Sequence, residues 1–143
     1  MSQYIASVPD DGTLKPGIAS FFENFYAISD TPTGHELYAD QFTGDATLIM
    51  ASKVAKGRQG IIEMREGMWE KVAKRSHKPL MIYSFTKHGD DVMLHGTVDY
   101  DLKDGKKAKG VEWAARAKFG SENGSLRMTF YQVYLDTAAM AGK

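Results

Sequence analysis

In the stretch "HGTVDYDL", His95 and Asp99 stand two pleats apart, so a strand carries both on one face. An imidazole held by a carboxylate is a serviceable general base near neutral pH. Arg116, on the following strand, offers a cation for a developing anion. Tyr26, Tyr38 and Tyr131 offer hydroxyl donors for an enolate-like oxygen. Together these six residues could abstract a proton beside a carbonyl and hold the charge that forms. Each also has a purely structural reading. Strict alternation sends His95, Asp99, Glu112 and Arg116 outward as cross-strand or subunit contacts, unless a bulge reverses the faces. A buried tyrosine often satisfies itself on a carbonyl.

The other histidines read more plainly. His77 follows the second long helix, where the terminal dipole favours a cation, and reads as a cap. His35 opens a short helix, and His88 lies in a turn. No HxH or HExxH pattern and no metal-ligand set is visible, and there is no Walker loop, dinucleotide fingerprint or GxSxG elbow. No metal and no cofactor is therefore expected. The chain has no cysteine, which excludes thiol catalysis and disulfide staples.

The elements that must position these groups follow from periodicity. Residues 1–15 form a polar, flexible lead-in closed by Pro16. Ile18, Phe21, Phe22, Phe25 and Ile28 recur at helical spacing. "HELYADQF" adds a shorter helix with Leu37, Tyr38 and Phe42 toward the same core. "DATLIMAS" and "KVAKGRQG" supply a short strand and a strand with its turn. A second long helix is expected over roughly 58–75, with Ile61, Met64, Met68 and Val72 along one side and Ile62 and Trp69 widening it. The pattern then switches to period two in "LMIYSFTKH", "DVMLHGTVDYDL", "AKGVEWAARAKF" and "SLRMTFYQVYLD", joined by "HGDD", "KDGK" and "SENG". Such short joints predict sequential antiparallel pairing. The faces Val92, Leu94, Gly96, Val98, Tyr100 and Val111, Trp113, Ala115, Ala117, Phe119 are expected inward. In the last strand both faces turn apolar from about Thr129, which suggests a second subunit on the outer side.

At 143 residues the chain reads as one domain, and 43% hydrophobic with 25% charged residues is ordinary for a globular protein. Formal net charge is zero, which removes the general electrostatic case for nucleic-acid binding. The four lysines of "KDGKKAK" read as a solvated hairpin tip. No apolar run is long enough to span a membrane, and the opening "MSQYIASVPDDG" lacks the pattern of a signal peptide. A cytoplasmic protein is the expectation.

Four pieces in this order, "FFENFYAIS", "FTGDATLIM", "GRQGIIEMREGMW" and "ENGSLRMTFYQVYLD", resemble the NTF2-like superfamily, particularly its SnoaL-like and ketosteroid-isomerase-like domains. The resemblance covers about residues 16–136. It implies a cystatin-like α+β fold, in which a strongly curved antiparallel sheet wraps around helices as a cone with a pocket. It also implies frequent homodimers through the sheet, and a small hydrophobic molecule as ligand. Phe22, Phe25, Met68, Trp69 and Trp113 would shape the pocket wall. Relatives of this kind include metal-free isomerases, dehydratases, hydrolases and cyclases, and also domains that only bind. Near Trp113–Ala117, where isomerase-like members carry a carboxylate, the inward positions here are Trp113, Ala115 and Ala117. No dehydratase-like histidine–aspartate pair is legible either. The functional expectation is a cofactor-independent isomerase, cyclase or lyase acting by acid/base chemistry on a small hydrophobic oxygenated substrate of secondary metabolism; the alternative is a noncatalytic small-ligand-binding or protein-interaction domain.

Overall fold

A computed structural model describes residues 2–143. Helix α1 (Ile18–Ser29) turns Ile18, Phe22, Phe25, Tyr26 and Ser29 into the core, as its i, i+3, i+4 spacing requires. Helix α2 (His35–Ala39) is a single turn or so that buries Tyr38 and Ala39. Leu37, expected in the core, points to solvent, because so short a helix offers only one narrow inner side.

Strands β1 (Phe42–Met50) and β2 (Lys53–Lys56) form a hairpin ahead of helix α3 (Gly57–Trp69). Helix α3 ends six residues sooner than periodicity suggested, and strand β3 begins at Val72. Strands β3 (Val72–Ser84), β4 (Asp91–Leu102), β5 (Lys107–Glu122) and β6 (Ser125–Leu135) pair sequentially and antiparallel. The sheet order is β2-β1-β6-β5-β4-β3. Because β1 lies parallel to β6, the sheet is mixed, which corrects the expectation of a wholly antiparallel one. The protein is α+β, with the helices against the inner face.

The inward faces of β4 and β5 are those that alternation predicted: Val92, Leu94, Val98, Tyr100, Val111, Trp113, Ala115, Ala117 and Phe119 are all buried. Gly96 completes the β4 set. A Cβ there would lie 2.3 Å from the Lys78 carbonyl oxygen and 2.9 Å from the Trp113 ring, so only glycine admits both neighbours. In β6 a register shift opposite Lys118 and Phe119 flips the faces: Met128 points inward before it, Tyr131 and Val133 after it. That shift accounts for the apolar residues on both faces. The lead-in, expected to be flexible, lies along β3, where Ser7 N–H donates to Leu80 O (2.8 Å) and Ile82 N–H to Ser7 O (3.0 Å). Among the described residues no helix is long and apolar enough to cross a membrane.

Candidate active site

Between the helices and the inner face of the sheet lies a cavity of about 1180 Å³. Its wall is largely apolar, from Met64, Met68, Val98, Leu102 and Val133, with a polar cluster where the end of α1 meets β3. Tyr26 and Asp30 are four residues apart and therefore share a side of the last helical turn, with Ser29 beside them. Opposite them β3 presents Arg75 and His77, which are two residues apart and so on one strand face.

The Asp30 carboxylate is the hub. It accepts hydrogen bonds from His77 Nδ1 (2.6 Å), the His77 backbone N–H (2.7 Å) and the Tyr4 hydroxyl (2.9 Å). An ionised carboxylate only accepts, so Nδ1 carries the imidazole proton and Nε2 keeps its lone pair. Burial holds the His77 pKa below the ordinary imidazole range. The Asp30 hydrogen bond pulls it back up, and the Arg75 and Arg65 charges push it down. His77 is thus a neutral, oriented base at neutral pH.

Two buried arginines fix this corner. Arg65 is 0% exposed and reaches from α3 to the end of α1, where it donates to the carbonyl oxygens of Ser29 (3.2 Å), Ile28 (3.4 Å) and Thr31. Its Nε donates to His35 Nδ1 (3.1 Å). A guanidinium here satisfies carbonyls that a helix end leaves unpaired. Burial, with repulsion from Arg75, lowers the Arg65 pKa to about 10. Arg75 donates through Nη2 to Ser29 O and to Ser29 Oγ (3.0 Å), and its guanidinium stacks on Trp69 at 4.7 Å.

Donors complete the wall. The hydroxyls of Tyr26 and Tyr131 are 2.6 Å apart, so one donates to the other and the acceptor's own proton remains for a ligand. Burial drives both pKa values well above the phenol range, and Tyr38 is pushed up to about 12, its burial only partly offset by Arg75 and Arg65. All three stay protonated donors at neutral pH. The Tyr26 ring centroid lies 5.1 Å from those of both His77 and Trp113. Trp113 lines the cavity, and its buried Nε1–H has no hydrogen-bond partner among the described residues.

Of the residues singled out from the sequence, Tyr26, Tyr38, Tyr131, Phe25, Met68 and Trp113 line the cavity. Phe22 packs behind it in the core, and Trp69 is buried beneath the arginines. His95, Asp99 and Arg116, expected as base and anion holder, do not line this cavity; His95 and Arg116 line a separate outer-face recess of about 540 Å³. Alternation turns all three to the outer face, with no bulge to reverse it at His95. There His95 stacks on Tyr83, Asp99 accepts from Gly110 N–H (2.7 Å), and Arg116 pairs with Asp91 (2.8 Å). His77, read as a helix cap, is instead a residue of the edge strand β3 that lines the cavity. Asp30, Arg65 and Arg75 escaped the sequence reading altogether. One signal was present: Ile61, Arg65 and Trp69 recur every four residues, which places Arg65 on the apolar side of α3.

No family model matches the chain, and no curated protein matches it by sequence. Solved structures do match in shape. A hypothetical protein with ketosteroid isomerase-like fold from Catenulispora acidiphila, in complex with trimethylamine, is 17% identical, with TM-score 0.68 over 88% of this chain and 90% of that one. Nuclear transport factor 2 from Cryptosporidium parvum is 14% identical, with TM-score 0.67 over 91% and 100%. A type 2 hexachlorocyclohexane dehydrochlorinase is 13% identical, with TM-score 0.66 over 81% and 80%. With its mixed six-stranded sheet, its three helices on the inner face and these matches, the chain has the NTF2-like fold.

Proposed function

We propose that this protein is a cofactor-independent acid–base enzyme of the isomerase, cyclase or lyase kind, acting on a small hydrophobic oxygenated molecule. One observation carries the reading: His77, held on Asp30 (2.6 Å), and the Tyr26–Tyr131 hydroxyl pair (2.6 Å) line one cavity. His77 Nε2 removes a proton from carbon beside a carbonyl, and the C–H electron pair moves through the new C=C onto the oxygen. The tyrosine pair donates to that enolate, while Asp30 steadies the imidazolium. The imidazolium then returns the proton to another carbon, an isomerisation, or to a departing hydroxyl, an elimination that releases water. We also infer a homodimer through the outer face, supported by Met81, Tyr83, Phe85, Met93 and Tyr134, all exposed there or at its edge.

Deuterium exchange into 2-tetralone, followed by NMR in D2O, tests the chemistry. The protein should accelerate exchange, His77→Gln should cut the acceleration by about 100-fold or more, and Tyr131→Phe by about 10-fold. Exchange at the uncatalysed rate, or a rate indifferent to His77→Gln, would overturn the reading and leave the cavity as a binding site.

A further inference from the structure

The charges around the cavity do not balance. Its exposed lining is even, with Lys53, Lys71 and Lys103 against Glu63, Glu70 and Asp104. Its interior is not: the buried guanidiniums of Arg65 and Arg75 face the single carboxylate of Asp30. Arg65 is occupied by the end of α1 and by His35. Asp30 is already shared among His77 and Tyr4.

Arg75 is left over. The residue is 6% exposed and lines the cavity, yet among the described residues only its Nη2 makes hydrogen bonds. Its Nε is buried without a partner, 3.7 Å from Asp30 Oδ1, beyond hydrogen-bond reach. An orphaned buried donor, on one of two guanidiniums that share a single carboxylate, is valuable to an incoming anion. We propose that the ligand of this cavity is a monoanion, an acid with an apolar body whose carboxylate oxygens settle on the free edge of Arg75. This deepens the function proposed above and rests on the same cavity, because the apolar wall takes the body of such a molecule while His77 attends its reacting carbon. The bound anion also offsets the Arg75 charge that weakens His77 as a base, so the correct ligand strengthens the group that acts on it.

Binding, not turnover, tests this. The full chain is titrated calorimetrically with 2-naphthoate, its neutral isostere 2-naphthamide and the cation 2-naphthylmethylammonium at fixed ionic strength. Naphthoate should bind about 10-fold or more tighter than the amide, and the ammonium ion weakest. Arg75→Gln should erase the preference for naphthoate while leaving amide affinity within about 2-fold. Should that variant fail to fold for want of the Ser29 contact, Arg75→Lys, which keeps the charge, should retain a preference for naphthoate over the amide. Equal binding of acid and amide by the unaltered protein overturns the proposal. So does a preference that survives Arg75→Gln, which would assign the anion to the exposed lysines. His77→Gln should still bind naphthoate, so a protein that prefers the acid but exchanges no protons would refute the catalytic reading alone.

Discussion

The base strength of His77 is set by neighbours of opposite sign. Burial and two guanidiniums disfavour the imidazolium, the Asp30 hydrogen bond favours it, and the balance lies below the usual imidazole pKa. Two measurements follow. The pH profile of kcat/KM for exchange should hold its plateau down to and below about pH 6.5, the ordinary histidine value, and fall only at more acid pH. Stability should move with the same proton. The unfolded chain protonates this histidine at a higher pH than the folded one, so its contribution is whole above about pH 6.5 and is lost as pH falls toward the folded pKa. Urea midpoints across this range, for the unaltered protein and for His77→Gln, should show an acid-side decline that the variant lacks. The tyrosines of this site were legible from residue type, since a phenol among apolar residues is a standing donor. His77 and Asp30 were not, because the contact that gives them a role spans 47 residues and leaves no local trace.

Among the elements, the end of α1 is the part that most needs support. Four carbonyls at a helix end lack partners within the helix, and here Arg65 supplies the donors from α3. Arg65→Leu keeps the bulk and removes every donor, so it should destabilise the fold by about 3 kcal/mol. It should also lower exchange activity in the fraction that remains folded, because Asp30 is held by the same turn. Denaturant unfolding and specific activity, measured on the same preparation, check both. The α3–β3 junction shows why the strand that carries Arg75 and His77 was hard to read. Register shifts between Val72 and Lys74 and between Pro79 and Met81 break its alternation, and without a clean period two the helix pattern ran on too far. In β4 no shift interrupts the stretch from Val92 to Val98, and there the inward set was read correctly.

For the whole molecule, the outer sheet face carries a patch that water alone covers poorly. Phe85 is 83% exposed, and Met81, Tyr83 and Met93 stand close to it on neighbouring strands. Analytical ultracentrifugation should find a dimer at micromolar concentration, and the double variant Tyr83→Lys, Met93→Lys should sediment as a folded monomer. The meander was legible because short turns leave a chain few choices of partner. The parallel contact of β1 with β6 was not, since it joins strands about 80 residues apart and leaves no local pattern in either.

The hydroxyls of Tyr26 and Tyr131 meet across 105 residues of chain. During synthesis the first tyrosine is therefore made long before its partner exists. The donor pair forms only when the last strand has left the ribosome and entered between its neighbours. Until then a nascent chain has its three helices and a partial sheet but not the paired hydroxyls, so binding that depends on the pair would itself report that the sheet is complete.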